Sequence, residues 1–232
     1  MTLWGVRGEE CLRRWSGFAR VQNCVGFAGV EGRVVLVGGL DGRVLGFDGL
    51  QKGRGQALVE WKEARDAVLC LHVVEGGREV FVGSAEGVVR VYDVEMGSVV
   101  VDVVTGSKGV GVCDVRPSGD GESYLAVCMD SRVRLIDRRS GKCLRVFEHP
   151  GFVVREFTIR GTWAIGDRVV VCGSEEGDVF FWDVGTGELL GRVSHWKEGA
   201  NAKRKAVSAV AWNAVTGQLA SAGMNGEVVV WV

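Results

Sequence analysis

Val169-Val170-Val171-Cys172-Gly173-Ser174-Glu175-Glu176-Gly177-Asp178-Val179-Phe180-Phe181-Trp182-Asp183 carries a unit that recurs along this chain. An apolar run leads into a small-residue turn with an acidic or amide residue and usually a Gly. A second apolar run follows, and an aromatic or aliphatic residue plus Asp closes the unit. The same order stands at 35–48, 80–93 and 125–137, and at 219–232, where Val232 takes the place of the Asp. The closing Asp falls at 48, 93, 137 and 183, spacings of 45, 44 and 46 residues. A period of that size is the signature of a repeat architecture, in which each unit buries its apolar faces only against its neighbours.

Each unit reads as four short strands. The first predicts strands over 21–27, 33–37, 43–47 and 56–61. The pairs Asp41-Gly42, Glu86-Gly87, Glu176-Gly177 and Asn225-Gly226 predict hairpins whose two central residues both take φ > 0. Along the third strand Val179 and Phe181 point one way, Phe180 and Trp182 the other. Both sets are apolar, which requires a sheet covered on both faces. Helical periodicity is absent over any useful length.

Composition agrees. The 36 Gly are dispersed and only 2 Pro occur, so the chain has many tight turns and no Pro-rich linker. With 47% hydrophobic residues, 232 residues suffice for a large core without metal or disulfide support. The net charge of −1 gives no whole-chain attraction to nucleic acid or an anionic membrane. The seven Cys include no Cys-x-x-Cys pair and lie mostly in apolar runs. They read as reduced, buried small hydrophobes of a cytosolic or nuclear protein. No apolar stretch is long enough for a transmembrane helix, and residues 1–7 do not form a signal peptide.

The period matches the blade of WD40 β-propellers, so an all-β WD40 propeller with about five blades is expected. Residues 1–15 read as the end of an incomplete blade, finishing in its outer strand; 16–232 read as five WD40 repeats of one propeller domain. Two arrangements follow. The spare outer strand closes a five-blade ring, or the chain is an N-terminally shortened seven-blade ring; the second is favoured. Asp48, Asp93, Asp137, Trp182, Asp183 and Trp231 mark the structural repeat. The closing Asp is expected to tie the third strand to the loop entering the next blade. Its usual Gly-His partner is degenerate here, with Gly17-Phe18, His149-Pro150-Gly151 and His195-Trp196 near those places. His149 and His195 read as loop or network residues rather than metal ligands, and His72 as a core or edge residue.

No catalytic constellation appears: there is no Gly-x-Ser-x-Gly, no phosphate-cradling loop and no His-rich metal spacing. Gly38-Gly39 and Gly76-Gly77 read as turns. The expectation is a non-enzymatic chain with no cofactor, no metal and no small-molecule substrate. Arg20, Arg65, Lys108 and Lys205 fall in the loops entering first strands, and Lys203-Arg204-Lys205 adds a basic run. As a basic rim they would meet acidic peptide, phosphopeptide or RNA phosphate; the competing reading is ordinary solvated loop charge. Trp196, in a charged insertion reaching Lys205, is either an interface anchor or tucked against its own blade.

A further resemblance rests on residues outside the generic repeat. Trp61-Lys62-Glu63-Ala64-Arg65-Asp66-Ala67-Val68, the run from Gly87 to Gly97 with its Met96-Gly97 turn, and the third strands ending at Asp137 and Asp183 together resemble the mitogen-activated protein kinase organizer family of WD-repeat proteins. The resemblance spans nearly the whole chain and corresponds to about the last five blades of seven. It implies a scaffold for mitogen-activated protein kinase modules, a spliceosome component in pre-mRNA splicing, or both. Spliceosomal or kinase-pathway proteins would be the partners, and the chain would be cytoplasmic and nuclear. A ubiquitin-ligase substrate adaptor or a chromatin-associated reader is the alternative.

Overall fold

The computed structural model describes residues 1–5, 8, 10–16, 18–50, 56–105, 109–196 and 205–232. Apolar runs broken by Gly-bearing turns fold into antiparallel meanders. β1 (Thr2–Trp4) and β2 (Cys11–Arg14) form a two-stranded sheet. Four sheets of four strands follow. The first is β3 (Gln22–Ala28), β4 (Val34–Gly39), β5 (Val44–Asp48) and β6 (Val59–Trp61). The second is β7 (Val68–Val73), β8 (Glu79–Ser84), β9 (Val88–Asp93) and β10 (Ser98–Val104). The third is β11 (Val112–Pro117), β12 (Ser123–Cys128), β13 (Arg132–Asp137) and β14 (Cys143–Phe147). The fourth is β15 (Gly161–Ala164), β16 (Val169–Gly173), β17 (Asp178–Asp183) and β18 (Leu189–Ser194). A three-stranded sheet, β19 (Val207–Asn213), β20 (Gln218–Gly223) and β21 (Val228–Trp231), ends the chain. Among the described residues the only helical element is a single 3-10 turn, Val30–Gly32. These are all-β propeller blades in strand order. The chain forms two compact units, Met1–Val103 and Val104–Val232.

Each unit shows why the strands are apolar on both faces. In the second, Phe180 and Trp182 pack with Leu125, Val127, Val133 and Phe147 of the preceding blade. Val179 and Phe181 pack on the other side with Val207, Val210 and Leu219. The β15–β18 blade is thus sandwiched, as the alternation in β17 requires. In the first unit, Leu36, Val44 and Trp61 meet Val68, Val80, Val82 and Tyr92 across one blade interface. Trp15, with Met1 and Leu3, covers the opposite face of β4 and β5 through Val35, Val37 and Phe47.

Glycine marks where neighbouring blades approach most closely. A Cβ on Gly173 would lie 2.1 Å from the Val207 carbonyl oxygen, and one on Gly38 would lie 2.5 Å from Val68 Cγ1. Gly38 and Gly39 end strand β4 instead of forming a turn; the smallness of Gly38 serves interblade contact, while a Cβ on Gly39 would meet Gln22 and Asp41 of its own blade.

The hairpins differ from the expected form. Gly42, Gly87, Gly177 and Gly226 have φ of 76°, 87°, 88° and 88°, whereas Asp41, Glu86, Glu176 and Asn225 stay out of the left-handed region. The Gly42 amide donates to Gly39 O at 3.2 Å, and the Gly39 amide donates to Arg43 O at 3.1 Å. Three residues therefore separate the paired ends. That length takes a type I turn followed by one left-handed residue, and only the last position needs Gly. Ser131, φ 62°, fills that position between β12 and β13.

The first strands share a second feature. Registers shift between Gln22 and Cys24, Val68 and Cys70, Val112 and Asp114, and Val207 and Ala209. The extra residue of each such bulge is freed from its own ladder. Three of them bond to a neighbouring blade: Asn23 Nδ2 donates to Val68 O at 2.9 Å, Cys113 Sγ to Ile159 O at 3.4 Å, and Ser208 O accepts the Arg160 amide at 3.0 Å.

Candidate functional site

Two recurring backbone bonds distinguish the ends of a blade. At one end, in four blades, the residue after the second strand donates to the residue before the first strand: Leu40 to Val21 O, Ala85 to Ala67 O, Met129 to Gly111 O and Met224 to Ala206 O, all at 2.8–2.9 Å. In the β15–β18 blade Glu175, two residues past β16, donates to Val153 O at 2.9 Å, eight residues before β15. This bond clamps every entering loop to the turn between second and third strands. At the other end the residue after the closing Asp donates back to the start of the second strand. The bonds are Gly49 to Arg33 O, Val94 to Arg78 O, Arg138 to Glu122 O and Val184 to Arg168 O, at 2.8–3.0 Å.

The closing Asp belongs to this second end, which corrects its expected role. Asp93 Oδ1 accepts the amides of Glu95 and Met96, each at 2.9 Å, and Oδ2 pairs with Arg78 Nε at 3.0 Å. Asp48 accepts the Leu50 amide and pairs with Arg33. Asp137 accepts the Ser140 amide and Asp183 the Thr186 amide. Each caps the turn leading into the fourth strand. The Met96 amide foremost, then Arg78, holds the Asp93 carboxyl below the usual range. A carboxylate on the last residue of the third strand points away from the entering loops, so it cannot reach them.

The bracing of the entering loops falls to residues read above as turn formers only. Glu175 Oε1 accepts three successive amides, from Arg155 at 2.6 Å, Glu156 at 2.8 Å and Phe157 at 3.0 Å. Glu86 Oε1 accepts the Arg65 amide at 3.2 Å and pairs with Arg90, whose side chain is only 7% exposed. Ser131 Oγ accepts the Val154 amide at 3.1 Å, and Ser174 Oγ the Val153 amide at 3.0 Å. The sequence signal for these roles is an acidic or hydroxyl residue in the turn, between three residues before the left-handed position (Ser174) and that position itself (Ser131).

The candidate rim residues stand as follows. Arg20 and Arg65 are exposed in entering loops of the first unit, immediately before the clamped Val21 and near the clamped Ala67. Lys205 is exposed in the second unit, next to the clamped Ala206. Lys108, Lys203 and Arg204 lie outside the described residues. Trp196 is half-buried: Nε1 donates to Lys205 O at 3.2 Å, and its indole lies so close over Gly177 that an added Cβ would meet it at 2.2 Å. It packs on its own blade's turn. The loop carrying Arg155, Glu156 and Phe157 is exposed at the same blade end, braced by Glu175.

The histidines take structural places. His195 Nδ1 lies 2.8 Å from Ser221 Oγ, which also accepts Trp231 Nε1 at 2.9 Å. His149 Nδ1 accepts the Gly151 amide at 3.0 Å and shapes the turn before Phe152. The stretches that carried the family resemblance also meet in space. Trp61 stacks on Tyr92 at 4.2 Å between centroids and donates from Nε1 to Gly97 O at 3.1 Å. Tyr92 Oη donates to Glu63 Oε2 at 3.2 Å, and burial, then the Glu63 carboxylate, raises its pKa.

Among the described residues no group of His, Cys, Asp and Glu could hold a metal ion. Cys70, Cys113, Cys128 and Cys172 are buried, and burial pushes the Cys113 and Cys172 thiols up, away from nucleophilic thiolate. Also among the described residues, no helix is long and apolar enough to cross a membrane.

Sandwiched four-stranded meanders of this period, with clamped entering loops, have the architecture of WD40-type propeller blades. Known proteins agree at that level. Over 127 residues the chain is 37% identical to WD repeat domain-containing protein 83 of Rattus norvegicus, covering 55% of this chain and 38% of that protein. Over 117 residues it is 30% identical to the WD repeat domain-containing protein 83 homolog of Dictyostelium discoideum, covering 50% and 34%. The matches thus span little more than a third of the length of these curated relatives. No family model matches the chain.

Proposed function

We propose that this chain is a non-catalytic scaffold that assembles other proteins in pre-mRNA splicing, in mitogen-activated protein kinase signalling, or in both, working in cytoplasm and nucleus. The observation that carries the reading is the clamped blade end. Five entering loops are fixed by a backbone bond from the turn after the second strand, and Arg20, Arg65, Arg155, Phe157 and Lys205 are exposed on or beside them. Loops held in one conformation bind with little ordering cost, so such an end suits docking of other macromolecules. The family resemblance carried by Trp61–Val68 and the Met96-Gly97 turn supports the particular assemblies, and likeness to WD-repeat proteins supports the scaffold role. Arg20 and Arg65 in the first unit, and Lys205 in the second, put exposed basic groups beside these loops, suited to acidic surfaces of partners.

Affinity purification of the tagged chain from its own cells, followed by mass spectrometry, tests this. Recovery of splicing factors or kinase-pathway components is expected, and their loss in an Arg20→Glu/Arg65→Glu/Lys205→Glu variant would place the contact at the rim. Recovery of ubiquitin-ligase subunits or histones in their place would overturn the assignment.

A further inference from the structure

The final sheet is joined to the blade before it through one buried imidazole. His195 follows directly on β18, and its amide donates to Gly177 O at 3.0 Å, in the turn of the β15–β18 blade. Its ring reaches into the next sheet, where Nδ1 meets Ser221 Oγ of β20. Ser221 in turn receives the indole N–H of Trp231 in β21. A hydroxyl has one proton to give. With Trp231 donating to Oγ, that proton is available to Nδ1 of a neutral imidazole, which then carries its own proton on Nε2. Nε2 is sealed from solvent without a well-formed hydrogen bond, and the Glu227 backbone is the group that bears on the ring beside its side chain, so bulk water does not hydrate an imidazolium there.

We propose that His195 is a proton-sensitive latch: neutral, it holds β20 and β21, with Trp196 and Lys205, against the preceding blade, and protonation releases them. Trp196 and Lys205 are tied to the same place. Trp196 packs edge-on to the His195 ring at 5.2 Å and bonds to Lys205 O, and the Met224 amide bonds to Ala206 O. A proton on His195 places a charge in a pocket built for a neutral ring, at a cost the loosened state avoids. The charged groups on the packed elements are Glu176 and Asp178 beside the Gly177 turn, Arg192 on β18, Lys205 on the entering segment and Glu227 in the β20–β21 turn. Of these, Glu227 bears on the ring and favours the imidazolium; burial outweighs it and lowers the His195 pKa. The latch is therefore closed above the ordinary histidine range and opens as pH falls below it. It stands independently of what the chain binds.

The test uses the full chain, with the His195 imidazole followed by NMR titration and hydrogen exchange measured from pH 7.5 to 5.0, corrected for intrinsic rates. Protection in β20 and β21 should fall by up to about tenfold per pH unit below about 6.5, while β8 and β9 keep theirs. His195→Gln, neutral throughout, should abolish the pH dependence. Glu227→Gln, an exposed substitution that leaves the fold intact, should move the midpoint to lower pH. A His195 titrating at or above 6.5, an unchanged loss of protection in His195→Gln, or an unmoved midpoint in Glu227→Gln would each overturn the latch.

Discussion

At the residue scale, a carboxylate does different work according to which end of the blade it stands on. Glu175 gathers three loop amides onto one oxygen, a concentration of donors that a carboxylate accepts well because charge strengthens each bond. Glu175→Ala should lower stability by about 1–2 kcal/mol, since the loop amides can turn partly to water. It should also raise hydrogen exchange at 155–157, and exchange left unchanged there would contradict the bracing role. The closing aspartates are different. Asp93 is held below the usual carboxylate range by the Met96 amide and Arg78. A lowered folded value means its contribution is present above about pH 4 and is lost as pH falls through that lowered value. Asp93→Asn should lower the neutral plateau of thermal stability and flatten the acid limb between about pH 4 and pH 2, so that variant and parent converge at low pH; a scan of Tm against pH checks it. Both residues are acidic neighbours of apolar runs, and nothing in their identity alone tells a loop brace from a turn cap.

At the element scale, blades are stitched by close backbone approach, and glycine position becomes the control. Gly173 ends β16 with Val207 O where its Cβ would be, while Gly191 in β18 has open space around it. Gly173→Ala should cost about 2–3 kcal/mol, because backbone cannot yield as a side chain can. Gly191→Ala should be neutral or stabilising by up to about 1 kcal/mol, through the unfolded chain. Urea unfolding of the pair distinguishes the two, and equal effects would show that the interblade contact is not rigid. Strand positions and the Gly-bearing turns were legible from apolar runs and their punctuation, to within one to three residues. The bulges at Asn23, Cys113 and Ser208 were not. A bulge is a register choice made when two strands pair, and its reward, a bond to the neighbouring blade, exists only after blades stack.

At the scale of the whole molecule, the sandwiching of β17 sets the cost of core loss. Trp182 and Phe180 are fully buried among Phe147 and Phe152 at ring separations of 5.1–6.2 Å. Phe180→Ala should destabilise the second unit by about 3–5 kcal/mol, read as a fall in its unfolding midpoint. Sequence by itself determined the repeat, its period, the four-strand unit and the two-faced burial of each third strand, because these follow from residue alternation and turn chemistry, which are local. It also located the rim loops, since a loop's place between two strands is a matter of order. Tertiary structure decided what binds those loops in place. The clamp bond from second strand to entering loop, Glu175 beneath 155–157, His195 against Ser221 and Trp196 over Gly177 join residues that are 18 to 26 positions apart. Their pairing depends on how a turn, a loop and the next sheet converge in space, a geometry that no window of the sequence contains.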